Sequence, residues 1–340
     1  MLISFSWPGA VCSTKHTGEP VLSYLYLIVG LILLIKGADW LVRGSSSVAR
    51  RFRISEFIIG LTVVSFGTSL PELVIGLIAG QEGKTDLVIG NVLGSNIANV
   101  LLVLGIAAMI QPLTARRSTV WREIPFTLLA SLTLAALLND AFIEGHGESI
   151  LSRVDGLVLL SFFCVFVYYT AQVIRSEVDR DWVGTVEEHN MTRSALEILG
   201  GVVSLVLGGQ LCVTGAIEIA SALGMSETFI GLTIVAIGTS LPELATSAVA
   251  AYRKNVDIAV GNVVGSNIFN IFIVLGITSV VHEIPFDPIN NVHLGVMLAT
   301  TVLLFVFMFL GHPERTIQRK EGAVFVALYA VYMGFVVYRG

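Results

Sequence analysis

Apolar segments recur along almost the whole chain, and short polar breaks separate them. Each segment is close to the roughly 20 residues that a helix needs to cross a bilayer. Only 13% of the residues are charged and the mean hydropathy is +0.83, too few polar side chains to cover a soluble globule of this size. Because backbone in contact with lipid must satisfy its own hydrogen bonds, the segments are expected to be helices. The sequence therefore predicts an all-α polytopic membrane protein.

Ten spans are predicted, at about 21–43, 54–80, 85–110, 121–139, 150–174, 195–222, 226–251, 256–281, 291–311 and 321–338. Fifteen of the 20 Lys and Arg residues fall in alternate breaks, on one side of the predicted membrane. Under the positive-inside rule, this asymmetry places both termini outside a plasma (inner) membrane. The net charge of −5 gives no indication of nucleic-acid binding.

The polar stretch 175–193 divides the chain into two halves of five predicted spans, residues 21–174 and 194–340. It is expected to be a short cytoplasmic linker, and residues 1–20 are expected to be an N-terminal tail. Within the halves, residues 56–105 align without gaps to residues 227–276, at a constant offset of 171 and with 26 identities in 50 positions. This match indicates an internal repeat.

Because each half has an odd number of spans, the second copy of the repeat enters the membrane from the opposite side. Inverted-topology repeats of this kind are typical of secondary transporters, whose binding sites lie near mid-membrane between the copies. The predicted fold is therefore ten transmembrane helices arranged as two inverted repeats of five, and this symmetry favours alternating access.

The repeat carries the motif GTSLPE twice, at 67–72 and 238–243, in the middle of a predicted span. Each copy places a glutamate, Glu72 or Glu243, where an ionised carboxylate is costly and hence usually functional. The proline in each motif removes a helical N–H and disfavours helix at the preceding residue. The helix is therefore expected to break there, which is tolerated only where the backbone is buried in protein or lines a cavity.

The next predicted span carries Asn91, Ser95 and Asn99 at every fourth position, and the second copy repeats this polar stripe. The pooled candidate cation ligands are Glu72, Glu243, Thr68, Ser69, Thr239, Ser240, Ser95, Ser266, Asn99 and Asn270. The set contains only oxygen and amide groups, which suits Ca²⁺ and Na⁺ and disfavours zinc and copper. One Ca²⁺ or two Na⁺ would neutralise the carboxylate pair, so competition for it is a physical basis for exchange.

Two further pairs have simpler interpretations. Asn91 and Asn262 are equally well interpreted as interhelical hydrogen-bond donors or as ligands. Lys36 and Asp39, three residues apart in the first predicted span, are expected to pair with each other.

GTSLPE followed by GNVLGSNIAN, twice, resembles the alpha repeats of the calcium/cation antiporter superfamily, and most closely the prokaryotic sodium/calcium exchangers. The resemblance implies that Glu72 and Glu243 coordinate Ca²⁺ and share in Na⁺ sites, and that Thr68, Ser69, Thr239 and Ser240 contribute backbone or hydroxyl oxygens. It implies Na⁺ ligation by Ser95 and Ser266, and a central place for Asn99. It also implies that the first and sixth spans form a sliding gate, and that several Na⁺ exchange electrogenically for one Ca²⁺. The cations are then transported substrates, with no cofactor.

The chain departs from several relatives at Asn270, where they carry aspartate, the potassium-dependent exchangers among them. Asparagine in both copies therefore argues against potassium dependence and leaves the central position neutral at any pH.

Three other functions stay open on the residues alone. The buried glutamates could exchange Ca²⁺ for protons, as in a calcium/proton antiporter, although protons would not need the hydroxyl ligands. Broken helices at mid-membrane also suit a cation channel, less well than alternating access. An intramembrane enzyme is disfavoured, because all six histidines lie in or near loops and span ends, away from a nucleophile. The sequence does not determine the oligomeric state.

Overall fold

The computed structural model describes residues 20–115, 122–145, 148–177, 190–223, 225, 236–310 and 315–339. The helices of the first half are α1 (Pro20–Phe52), α2 (Glu56–Thr68), α3 (Leu70–Gln81), α4 (Thr85–Ile110), α5 (Ile124–Leu137), α6 (Asp140–Glu144) and α7 (Arg153–Glu177). Those of the second are α8 (Met191–Ala222), α9 (Ala236–Gly238), α10 (Leu241–Tyr252), α11 (Val256–Val281), α12 (Asn291–Leu310) and α13 (Arg319–Arg339). A 3₁₀ turn covers Pro288–Asn290.

Among these residues, seven helices are long and apolar enough to cross a bilayer, and eight if the bent pair α2–α3 counts as one span. The prediction of a mainly helical membrane protein is therefore confirmed. Helix α5, with 14 residues, is shorter than a full span. The predicted span 226–251 falls partly outside the described residues, as do most of the linker 175–193 and the tail 1–20. The count of ten spans stays a prediction.

Helices α4 and α11, which follow the GTSLPE motif in the two repeat copies, lie at the centre of the molecule. Within their apolar windows 72% and 83% of residues are buried, compared with 17–33% in the other candidate spans. Helix α11 packs directly on α2 of the other copy, where the backbone of Gly261 approaches the carbonyl of Phe57 so closely that a Cβ would overlap it. Small residues thus allow the two copies to meet backbone to backbone.

Helices α1 and α8 form a second, tightly packed unit. Glycines recur every seven residues on both, at Gly30, Gly37 and Gly44 on α1 and at Gly201, Gly208 and Gly215 on α8. The helices run antiparallel, so that Gly30 meets Gly208 and Gly37 meets Gly201, and a Cβ at either contact would lie within 3.0 Å of backbone atoms. Heptad spacing keeps these glycines on one face of each helix, and a larger side chain at these contacts would force the two helices apart.

Two short antiparallel ladders join the halves. Strand β1 (Leu113–Thr114) follows α4 and pairs with β4 (Thr316–Ile317), which precedes α13. Strand β2 (Ile150–Leu151), before α7, pairs with β3 (Ile284–Pro285), which follows α11. Beside these ladders, Gly322 of α13 packs on Gly105 of α4, and Gly156 of α7 packs on Gly276 of α11. The last helix of each half is therefore bound to the central helix of the other half.

The predicted Lys36–Asp39 pair is wrong. Asp39 pairs instead with Arg43, one turn along α1 at 3.2 Å, and with Arg253 at the end of α10. Helical spacing allowed both local partners. Tertiary packing adds the second partner, because it brings Arg253 at the end of α10 to the face of α1 that carries Asp39.

Candidate functional site

The helix breaks that the prolines predict are present in both copies. Ser69 lies between α2 and α3 with φ −88° and ψ 5°, outside helical geometry, and Ser240 adopts almost the same angles before α10. Pro71 and Pro242 occupy the first turns of the helices that follow, where a missing N–H has no cost. Helices α2 and α3 meet at an angle of 41°. The breaks set the first turns of α3 and α10, with their glutamates, in the interior.

Glu72 and Glu243 are completely buried. A buried carboxylate needs a compensating charge or hydrogen-bond donors, because removal of an ion from water carries a large free-energy cost. Among the described residues no lysine or arginine pairs with either glutamate. Their compensation must come from neutral donors, from a cation or from a proton.

Glu243 accepts hydrogen bonds from hydroxyls of both copies. Ser69 Oγ donates to Glu243 Oε1 over 3.1 Å, and Ser266 Oγ donates to the same oxygen over 3.4 Å. Ser69 lies three residues before Glu72, a spacing that on a continuous helix would put both side chains on one face. The non-helical backbone at Ser69 turns its side chain across to the other copy.

Glu72 is less well compensated. Neither of its carboxylate oxygens has a hydrogen-bond partner among the described residues, and the same holds for the second oxygen of Glu243 and for the Ser240 hydroxyl. The remaining hydroxyls lie between the copies, with Thr68 Oγ1 and Ser266 Oγ 3.4 Å apart and Ser95 Oγ and Thr239 Oγ1 also 3.4 Å apart. The structure thus brings the predicted serine, threonine and glutamate ligands together at the interface of the two repeat copies.

Asn91 and Asn262, which are equivalent positions in the two copies, differ in their hydrogen bonds. Asn262 accepts from Thr68 Oγ1 at 3.1 Å and donates to Ser247 Oγ at 3.0 Å, which makes it an interhelical connector. The Nδ2 of Asn91 is buried without a partner among the described residues. The hydrogen-bond interpretation is therefore confirmed for Asn262 alone.

Asn99 and Asn270 are fully buried at the point where α4 and α11 cross. At each of these residues the helix widens into a π turn, Asn99–Val103 and Asn270–Leu275, a distortion that is frequent at functional sites. Each amide donates from Nδ2, Asn99 to Asn267 Oδ1 at 3.0 Å and Asn270 to Asn96 Oδ1 at 3.1 Å. The carbonyl oxygens of Asn99 and Asn270 remain without partners in the described part of the chain.

Asn96 and Asn267 were not among the predicted site residues, because they lie one position off the every-fourth polar stripe. Their signal in the sequence was identity between the copies, since GSN occurs at 94–96 and 265–267.

The site therefore combines two carboxylates with neutral hydroxyl and amide oxygens. No group of three or more His, Cys, Asp or Glu side chains that could hold a metal ion occurs among the described residues. This inventory suits hard cations with oxygen coordination and modest total charge. It offers no soft ligand for zinc or copper.

Helix α8 lies against both breaks. Gly67 faces Val202 and Gly238 faces Val213, each so closely that a Cβ would collide with the valine. Gly209 of α8 lies beside Pro242. The α1–α8 unit therefore borders the site at the two places where its helices are interrupted.

Known proteins are similar to this chain in sequence and in fold. The family model described as "Sodium/calcium exchanger protein" matches residues 22–172 and 194–338. The putative antiporter CaxA of Alkalimonas amylolytica is 37% identical over 316 residues, which cover 91% of this chain and 96% of CaxA. The sodium/calcium exchanger MaX1 of Methanosarcina acetivorans is 31% identical over 348 residues, with coverage of 92% and 97%.

A solved structure of the sodium-calcium exchanger NCX_Mj, soaked with Na⁺ and Sr²⁺, superposes with a TM-score of 0.78 at 34% identity, over 93% of this chain and 99% of that one. A more distant relative, the Ca(2+)/H(+) antiporter ChaA of Bacillus subtilis, is 26% identical over 76% of each chain.

Proposed function

Because this chain belongs to the sodium/calcium exchanger family, we propose that it is a secondary antiporter that exchanges Na⁺ for Ca²⁺ across a membrane. The observation that carries the proposal is the pair of completely buried carboxylates, Glu72 and Glu243, surrounded by neutral oxygens with no basic partner among the described residues. Such a pair requires positive charge, and it can take that charge as one divalent cation or as two monovalent ones. Occupancy by one ion type excludes the other, and coupling follows if the protein changes sides only when the site is occupied.

We propose ten transmembrane helices in two inverted repeats of five. The two interhalf ladders support this topology. Strands β1 and β4 pair, so the connections that hold them lie at the same membrane face, and β2 and β3 likewise share a face. An alternating topology of ten spans satisfies both conditions. The lysine and arginine asymmetry then supports a plasma-membrane protein with both termini outside.

The proposed ligands of the transported cations are Glu72, Glu243, Thr68, Ser69, Thr239, Ser240, Ser95, Ser266, Asn99 and Asn270. All ten are buried. Ca²⁺ takes six to eight oxygens, with carboxylates, carbonyls and hydroxyls as suitable donors. Na⁺ binds the same donor types and would occupy several positions within the same set. Asparagine at position 270 supports exchange that does not depend on potassium.

Alternating access is proposed to come from movement of the α1–α8 unit over the rest of the protein. Its close-packed glycine contacts favour movement as one body, and its contact with both helix breaks gives it a position from which to cover the site from either side. Inverted repeats supply two related arrangements of similar free energy, as alternating access requires.

The test is ⁴⁵Ca²⁺ uptake into proteoliposomes loaded with Na⁺, with the Na⁺ gradient, a pH gradient or external K⁺ varied separately. Uptake that requires the Na⁺ gradient and ignores K⁺ is expected. Glu72→Gln provides the matched control, because it keeps the size of the side chain and removes its charge. Equal uptake by this variant would contradict the site.

A calcium/proton antiporter is the second candidate. It is favoured by the burial of the two carboxylates, which protons could also neutralise, and by the relative ChaA. The number of neutral oxygens around them argues for Na⁺, since a proton needs no such coordination. Uptake driven by the pH gradient alone would select this alternative, and uptake without any gradient would select a channel.

A further inference from the structure

The crossing of α4 and α11 holds four buried asparagines, two from each copy of the repeat: Asn96, Asn99, Asn267 and Asn270. Their hydrogen bonds run between the copies, and backbone atoms determine which way the amides point. Asn267 Nδ2 faces the backbone carbonyl of Asn96 at 3.4 Å, and Asn96 Nδ2 faces that of Asn267 at 3.5 Å. A carbonyl oxygen can only accept, so the amide nitrogens must occupy these positions.

This requirement propagates through the network. With their nitrogens committed to the backbone, Asn96 and Asn267 present their Oδ1 atoms in the other direction, as acceptors. Asn270 and Asn99 must therefore present Nδ2 to them, at 3.1 Å and 3.0 Å. The Oδ1 atoms of Asn99 and Asn270 are consequently directed away from the network, and both are buried without a partner among the described residues.

We propose that Asn96 and Asn267 are positioning residues for the cation site, each fixing the amide of the ligand that belongs to the opposite copy. The inference rests on the proposed function, because it takes Asn99 and Asn270 as cation ligands. Without these partners either amide could rotate by half a turn and present its NH₂ group to a cation. With them, two carbonyl dipoles stay oriented when the site is empty, which lowers the reorganisation that binding requires.

The crosswise connection has a consequence for coupling between the copies. Asn96 lies three residues from Asn99 on the same helix, yet its hydrogen bond goes to Asn270. A relative shift of α4 against α11 would therefore release both ligand amides together. The amides of Asn99 and Asn270 are therefore both oriented only while α4 and α11 keep this relative position.

Double-mutant cycles on purified protein test the proposal, with the equilibrium dissociation constant for ⁴⁵Ca²⁺ as the readout. Asn96→Ala is expected to weaken binding by about 10- to 100-fold, the range for residues that orient a metal ligand. It should have little further effect in the Asn270→Ala background and its full effect in the Asn99→Ala background. Asn267→Ala should show the reverse pattern. A purely structural role predicts equal effects in both backgrounds.

Additive effects within the crosswise pairs, or coupling only between residues of the same helix, would overturn the proposal. The smaller truncation Asn96→Ser and the independent Asn267 cycle keep the test decisive if one variant folds poorly. The same cycles, measured by thermal unfolding in cation-free buffer, distinguish failure of the proposed function from failure of the positioning role. If the crosswise pairs are coupled in unfolding but the protein neither binds Ca²⁺ nor exchanges it for Na⁺, the hydrogen bonds are present and the proposed function is rejected. Coupling in unfolding without coupling in Ca²⁺ affinity would reject the positioning role.

Discussion

The two copies of the GTSLPE motif are identical in sequence and unequal in their surroundings. Glu243 accepts hydrogen bonds from Ser69 and Ser266. Glu72 accepts none that meets hydrogen-bond geometry among the described residues. A second difference between the copies lies outside the motif. Asn262, in the second copy, is bound to Ser247, whereas the position equivalent to Ser247 in the first copy is Gly76, which has no hydroxyl for Asn91.

In the proposed exchanger, this difference would separate two tasks within one site. Hydrogen bonds from Ser69 and Ser266 would orient Glu243 in the cation-free protein. Glu72 accepts none with hydrogen-bond geometry among the described residues, so compensation of its charge would depend more on the bound cation.

The largest effects are expected from neutralising each glutamate. Glu72→Gln and Glu243→Gln should each reduce Na⁺-driven ⁴⁵Ca²⁺ uptake by about 100-fold or more, because loss of one member of a buried charge interaction costs about 3–5 kcal/mol. The two variants should differ in stability when no cation is present. Glu72→Gln removes an uncompensated buried group and should raise the thermal unfolding temperature more than Glu243→Gln does. The reverse order would break the distinction between the two carboxylates.

The next effect separates equivalent serines. Ser69→Ala removes a hydrogen bond to Glu243 and should destabilise the cation-free protein by about 1–3 kcal/mol. Ser240→Ala, its repeat equivalent, removes a hydroxyl that has no partner among the described residues and should leave cation-free stability nearly unchanged. Both should weaken Ca²⁺ binding. Thermal unfolding with and without Ca²⁺ measures the contrast, and equal losses in cation-free buffer would contradict it.

A smaller effect is expected at position 247, where the copies differ. Ser247→Gly should remove the hydroxyl that accepts a hydrogen bond from Asn262 Nδ2 and destabilise the protein by about 1 kcal/mol. Gly76→Ser offers Asn91 a hydroxyl, although its Cβ would lie 3.0 Å from Thr278 Oγ1 and 3.2 Å from Val274 Cγ1. Packing and hydrogen bonding should nearly cancel there. The binding isotherm of the double variant checks whether the asymmetry itself affects affinity.

The smallest effect is expected at the ends of the helices. Asp39 and Arg253 link α1 to the end of α10, and their repeat equivalents are Gln210 and Glu82, which cannot form that pair. Asp39→Asn should lower stability by less than about 1 kcal/mol, since the pair is partly exposed. Gln210→Asn serves as the matched control. A loss of several kcal/mol would mean that this contact, and not the asymmetry of the glutamates, is the main difference between the halves.

The sequence was sufficient wherever one helix or one repeat carried the information. Apolar segments predicted the helical membrane fold, the prolines predicted a helix break within each GTSLPE motif, and identity between copies selected the buried glutamates. Local spacing failed where partners come from another helix. It assigned Asp39 to Lys36, because periodicity describes neighbours along a helix and not across a packing interface.

Two features were not predicted from the sequence. The interhalf strands are two residues long, so no alternation could be recognised in them. Asn96 and Asn267 are identical between the two copies, yet their proposed role depends on how α4 and α11 cross, which helical periodicity does not predict.

The contacts between the two halves of the chain have a consequence for how the protein assembles. Each ladder, the α2–α11 contact and the asparagine bonds all join one half to the other, so neither half buries its own central helix alone. We therefore expect two separately synthesised halves to form these same interfaces, as the two subunits of a heterodimer do.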